Sequence, residues 1–227
     1  MKFVKPFLLA VAAGMCIGFG GLLNLVCIAN DLKILGGILF SIGLLTICLF
    51  GFKLFTGQVG YLFAKDDKLA FLKQLGIYYL GNVVGAVGLG YLLRITAITH
   101  NETLMNVAID LAEHKLVALP GYDVGQTFYS IFILSIFCGI LVFFAVDIFR
   151  RENIPSLFRV LGLITAVAAF VIIGFEHCVA DMFYLSFANC FVKKYCAQAY
   201  LSILLGSLGN IVGAFAAYYV VKLATSK

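Results

Sequence analysis

The sequence predicts an all-α membrane protein of six transmembrane helices, arranged as an inverted 3+3 repeat with broken second and fifth helices. Three observations carry that fold class. Of 227 residues, 63% are hydrophobic and only 12% are charged, which excludes an ordinary water-soluble domain. The apolar runs lack period-2 alternation and are long enough for helices of about 20 residues, so a helix bundle is favoured over a barrel. Finally, "LGNVVGA" (Leu80 to Ala86) returns as "LGNIVGA" (Leu208 to Ala214).

The first span, roughly 7–28, follows Met1-Lys2-Phe3-Val4-Lys5-Pro6. No small-residue cleavage site follows it, so it is expected to remain in the protein. The second span, roughly 37–64, contains "GGILFSIGLLTICLFGFKLFTGQVGYLF" (Gly36 to Phe63). As one helix this stretch would be about 42 Å long, more than a hydrocarbon core of roughly 30 Å. It is interrupted by Lys53 and by Thr56-Gly57. The third span, roughly 69–97, carries the first "LGNVVGA", and the fourth covers roughly 124–149. The fifth, roughly 156–188, is interrupted at Glu176-His177, and the sixth, roughly 197–222, carries "LGNIVGA". In each broken span a longer apolar part precedes the break and a shorter one follows it. The chain therefore reads as one domain, 1–227, with repeat halves about 1–97 and 124–227 joined by an external loop at 98–123.

Three spans per unit is an odd number, so the second unit must cross in the opposite sense. Interrupted helices at matching places in inverted repeats point to a binding or conduction site near the midplane. Backbone freed at a break is tolerated at membrane depth only where protein buries it or it lines a wet cavity.

Six crossings place both termini on one face. Lys2, Lys5, Lys65, Lys68, Lys73, Arg150, Arg151, Arg159, Lys222 and Lys227 share that face, while Lys33, Lys115, Lys193 and Lys194 take the other. The positive-inside rule makes both termini cytoplasmic and the location the cytoplasmic membrane. The net charge of +5 is then a topology signal, and no nucleic-acid partner is expected. Cys16, Cys27, Cys48 and Cys138 sit inside spans as small hydrophobes. Cys190 and Cys196, in "CFVKKYC", flank the external loop before the last span and could form a disulfide in an oxidising compartment.

Within "GFEHCVADMF" (Gly174 to Phe183), Glu176, His177 and Asp181 place three ionisable groups in a greasy segment, where such groups mark functional sites by default. His177 has an unperturbed pKa of about 6.5, suited to a titratable role. Glu176 is expected to accept hydrogen bonds from loose backbone N–H groups at the break. Asp181, four residues past His177, either orients the imidazole or lies outside the pore and meets Lys53. Lys53 is explained either by a helix C-terminal dipole or by attraction of an anion. Asn82 and Asn210 are either structural clamps on the breaks or pore-lining donors. The glycine-rich faces of the third and sixth spans read as close helix packing, and Tyr78, Tyr79, Tyr218 and Tyr219 as an interfacial belt.

Three features together, "LFTG" (Leu54 to Gly57) at the first break, "GFEHCVADMF" at the second and the paired "GN(V/I)VGA" segments, resemble the formate/nitrite transporter family across essentially the whole chain. The resemblance implies an aquaporin-like protomer with a pore through each subunit, a homopentamer in the lipid bilayer, and transport of small monovalent anions such as formate, nitrite or hydrosulfide. His177 resembles the family's central pore histidine, Thr56 the loop threonine facing it, and Lys115, in "EHKL", a lysine near the outer entrance. Hydrophobic constrictions map to Phe40, Leu44, Leu54, Phe55, Phe170 and Val142, and Asn210 resembles an amide that holds the histidine region. The sequence departs from the family pattern at Lys53, commonly acidic, at Asp181 and Gly139, often Asn, and in its short N-terminal segment.

A bare anion in a dry constriction faces a penalty on the order of tens of kcal/mol, against about 2–7 for a neutral polar acid. Positive potential from Lys115 is expected to draw the anion in, and the anion to take up a proton before crossing. His177 either donates that proton or serves as a hydrogen-bond donor while water supplies it. A neutral-solute channel of aquaporin type is the alternative, although its "NPA" turns are missing. An intramembrane enzyme or metal site built from Glu176, His177, Asp181, His100 and His114 lacks HExxH or paired CxxC spacing, so no enzymatic activity and no metal or other cofactor are expected.

Overall fold

The computed structural model describes residues 3–116, 123–192 and 195–225. Lys2, Lys193, Lys194 and Lys227 lie outside the described residues. Among the described residues regular structure is entirely helical: α1 (Val4–Ile28), α2 (Lys33–Phe50), α3 (Thr56–Val59, continued by a 3-10 turn over Gly60–Ala64), α4 (Lys68–Arg94), α5 (Glu102–His114), α6 (Val124–Arg150), α7 (Ser156–Ile173), α8 (Cys178–Phe187) and α9 (Cys196–Thr225). Six of them, α1, α2, α4, α6, α7 and α9, are long and apolar enough to cross a membrane. The protein is a multi-pass membrane protein. Its outer surface is correspondingly apolar: Leu49, Phe50, Leu157 and Ile173 are all exposed.

The halves correspond element by element. In the first, α1 packs on α2 and α4; in the second, α6 packs on α7 and α9. The short helices then cross over, α3 packing against α9 and α8 against α4. Both long segments before the breaks have 18 residues, and both end on a glycine in the left-handed region, Gly51 at φ 69° and Gly174 at φ 88°. A side chain would meet nothing within 4 Å at either position, so the requirement is conformational and not steric. α2 runs to Phe50, so Lys53 lies inside the non-helical segment that follows it.

Aligning Gly51 with Gly174 pairs "GFK" with "GFE", hence Lys53 with Glu176 and Leu54 with His177. Close helix contact follows the same repeat. A Cβ on Gly14 would strike the backbone oxygen of Asn82, and one on Gly139 the backbone oxygen of Asn210, so a side chain at either glycine would push the helices apart. This contact accounts for glycine at 139.

One expectation changes here. Tyr78 is buried, and the Tyr79 hydroxyl lies 3.0 Å from Ser207 Oγ, so these two tyrosines face the interior and do not form a belt.

Candidate functional site

Each break is held by one asparagine from the long helix that follows it. Asn82 accepts from Phe55 N–H at 2.8 Å and donates to the carbonyls of Lys53 at 2.9 Å and Ala10 at 2.8 Å. Asn210 accepts from Cys178 N–H at 3.0 Å and donates to the carbonyls of Glu176 at 2.9 Å and Ser135 at 2.8 Å. Both amides are fully buried. Three bonds satisfy one oxygen lone pair and both amide hydrogens, so neither side chain is presented to a pore. Of the two alternatives for these residues, the structure forms the clamp, and their placement in the substrate pathway is corrected.

With the breaks fixed, two cavities open toward opposite faces. The larger, about 540 Å³, lies on the face away from the termini, where Lys33, Lys115, Glu176, Asp181 and Tyr184 line it and Phe40, Phe170 and His177 floor it. The smaller, about 330 Å³, lies on the terminal face, lined by Leu44, Leu54, Lys53, Arg150, Glu152 and Arg159 among others. Between them stands a sleeve of Ile17, Phe40, Leu44, Leu54, Val142, Val167 and Phe170, with His177 its one polar member and no volume able to admit water. Phe40 and Phe170 meet edge to face at 5.7 Å. Phe55 is not in the sleeve. It turns away to meet Tyr79 at 5.1 Å in a separate core cluster, its backbone already in the helical region as the N-cap of α3.

His177 is the N-cap of α8, and its Nδ1 accepts from Ala180 N–H at 3.2 Å. An Nδ1 that accepts leaves the hydrogen of the neutral ring on Nε2. Nε2 lies 2.8 Å from Thr56 Oγ1, across the junction of the two halves. The ring is 2% exposed and sits 5.8 Å from the Phe170 ring. Thr56 opens α3, so the tips of the two short helices meet at this contact.

The acidic residues take partners that differ from those expected. Asp181 Oδ1 lies 2.9 Å from Lys115 Nζ, and Glu176 Oε2 contacts the same ammonium. The expected Lys53–Asp181 ion pair is therefore not formed; Asp181 faces the other vestibule, where Lys115 reaches it from the segment after α5. Glu176 binds Lys115 through its side chain, while the loose backbone is served by the asparagines, which corrects the acceptor role expected for it. Burial pulls the Lys115 ammonium down, but the Asp181 and Glu176 carboxylates outweigh that effect and hold it above the usual lysine range. Lys115 is consequently a paired cation and not a free attractor at an entrance. Nearby, Asn24 donates to the Tyr184 hydroxyl at 3.1 Å.

Sequence reasoning missed Ile17 and Val167. The repeat contains both: Val167 is the equivalent of Leu44 when Gly51 is aligned with Gly174, and Ile17 that of Val142 when Gly14 is aligned with Gly139. Among the described residues no group of three or more His, Cys, Asp or Glu side chains is arranged to hold a metal ion.

A sequence profile for "Formate/nitrite transporter" matches residues 1–224. The chain belongs to the formate/nitrite transporter family. It is 28% identical over 231 residues to a "Probable formate transporter" of Methanothermobacter thermautotrophicus, covering 92% of this chain and 84% of that one. It is also 28% identical over 198 residues to "Formate channel FocB" of Escherichia coli (strain K12), covering 82% and 67% respectively. Among solved structures it is similar to a "Pentameric formate channel with formate bound", with TM-score 0.78, 27% identity and 98% of both chains covered. A second structure, an "FNT family ion channel", shares the fold at TM-score 0.77 and 19% identity. Membership places the chain among formate/nitrite transporters and not among enzymes.

Proposed function

We propose that the chain carries small monovalent weak-acid anions, with formate the first candidate and nitrite and hydrosulfide in the same class, through a pore in each protomer of a homopentamer. Both termini then lie on the cytoplasmic side of the cytoplasmic membrane, since Lys5, Lys65, Lys68, Lys73, Arg150, Arg151, Arg159 and Lys222 share their face. Similarity to a solved "Pentameric formate channel with formate bound" supports the substrate and the pentamer.

The single observation carrying the reading is the dry sleeve between two polar vestibules, with one imidazole set into it. A closed apolar passage rejects an ion far more strongly than a neutral acid, so the anion crosses after taking up a proton. The position of His177 favours one of its two possible roles. Direct donation of a proton requires an imidazolium, whose Nδ1–H would point at Ala180 N–H and break the cap of α8. Nε2–H instead serves as a hydrogen-bond donor to the passing acid or anion, in place of its bond to Thr56, and water in the vestibule supplies the proton. Phe40, Leu44, Leu54, Val142 and Phe170 exclude water around that step.

Flux of formate and nitrite into proteoliposomes between about pH 5 and about pH 8, for the parent and His177→Asn, tests the reading. Expected is uptake by the parent that quickens toward the acidic end and is altered in the variant. No uptake of either anion, or a variant indistinguishable from the parent at every pH, defeats it. Flux independent of protons and of His177 favours the neutral-solute channel.

A further inference from the structure

The two vestibules differ in charge. On the face away from the termini, Lys33 and Lys115 stand against Asp110, Glu176 and Asp181. Lys115 is held by two carboxylates at once, so with either one ionised its field is cancelled before it reaches a solute. With both ionised the cluster repels anions. On the terminal face the balance is reversed, with Lys53, Arg150 and Arg159 against Glu152 alone. Among the described residues none of these three cations forms an ion pair. Arg159 donates one nitrogen to the Phe149 carbonyl at 3.3 Å, and Arg150 lies 4.7 Å over the Tyr61 ring, so both retain their full charge. Lys53 and Glu176 occupy equivalent places in the repeat with opposite sign.

We infer that the protein is electrostatically one-sided: the terminal-face vestibule gathers small monovalent anions through Lys53 and Arg159, while at the other mouth Asp181 adds a second carboxylate to a Lys115 that Glu176 already balances and so repels them. Asp181 is thus a specificity-determining residue that sets the sign of that cluster. The inference rests on the transport reading above. A concave site of one sign with low-dielectric walls concentrates counter-ions. A passive route still carries no net flux without a gradient, so the asymmetry appears as unequal half-saturation from the two sides. One uncompensated charge about 12 Å from the solute, at an effective dielectric of about 20, corresponds to about tenfold.

Right-side-out and inverted membrane vesicles containing the full chain, with orientation fixed by protease access to a C-terminal tag, test the inference through initial uptake of labelled formate or nitrite over a concentration series. The parent is expected to half-saturate at about tenfold lower concentration from the terminal face. Lys53→Gln raises that value severalfold and leaves the opposite face unchanged. Asp181→Asn, which removes the charge and keeps the shape, lowers half-saturation at the opposite face. Equal half-saturation from both faces of the parent overturns the inference, as does a folded Asp181→Asn protein with an unchanged opposite face. If Asp181→Asn is not recovered from membranes, the parent and Lys53→Gln decide alone. Absence of uptake from either face of the parent defeats the transport reading itself, a result distinct from equal half-saturation.

Discussion

Asn82 and Asn210 make the same three hydrogen bonds in the two halves of the chain, each tying the backbone of a helix break to a carbonyl of the first helix of its half, Ala10 in α1 or Ser135 in α6. A net value of about 1 kcal/mol per bond, with a further cost for each buried group left unpaired, sets the scale. Asn82→Ala and Asn210→Ala are each expected to cost about 3 kcal/mol. Heating the purified protein in detergent and following loss of the folded form should show both variants melting well below the parent. If one melts like the parent, its clamp does not support the break.

The contact between Thr56 and His177 gives a second expectation. Thr56→Ala deprives Nε2–H of its resting acceptor, whereas Thr56→Ser keeps the oxygen. Nε2–H has to leave Thr56 to serve the solute, so losing a neutral hydrogen bond of about 1 kcal/mol, roughly fivefold in rate, should raise anion flux by about that factor in the alanine variant and leave the serine variant near the parent. Equal flux in all three proteins would separate Thr56 from transport.

Because Nδ1 of His177 accepts the α8 cap bond, the ring hydrogen belongs on Nε2. Nitrogen chemical shifts of selectively labelled histidine in lipid should show the Nε2–H tautomer. An Nδ1–H signal would mean that the cap of α8 is open in the membrane.

Lys115 titrates above the usual lysine range, so the sign of its contribution is that of a raised basic group. Its stabilisation is complete below the ordinary lysine pKa of about 10.4 and is lost only as pH rises through the higher folded value. Stability should therefore show no Lys115-dependent change between about pH 5 and about pH 8. Lys115→Gln strands two carboxylates and is expected to cost about 3–5 kcal/mol. Adding Asp181→Asn to that variant removes one of the stranded charges and should restore part of the loss, which the melting of the single and double variants measures.

Hydropathy and the internal repeat made the six spans and both breaks legible in the sequence, because helix length and small-residue spacing are local properties. Part of the candidate site was also legible. The sleeve positions of Phe40, Leu44, Leu54, Val142 and Phe170 were legible through the family resemblance, and the repeat register would have added Val167 from Leu44 and Ile17 from Val142. The choice between Leu54 and Phe55 was not legible, since both are apolar and only the path of the chain into α3 decides which faces the sleeve. Nor was the partner of Asp181. Lys115 arrives from a connecting segment, far along the chain, and no periodicity links the two. The asparagines showed their matching places but not their bonds, because an amide in a dry interior must be satisfied without the sequence saying by whom.

All ten residues of α8 are buried, so that helix has no face to offer to lipid, and at ten residues it is too short to cross a bilayer unaided. During synthesis it cannot be released sideways into the membrane as α1 or α6 can. It has to wait inside an unfinished cleft between α4 and a last helix not yet made. The break beside the imidazole is clamped by Asn210 of α9, so the histidine site is fixed in place only after that helix is made.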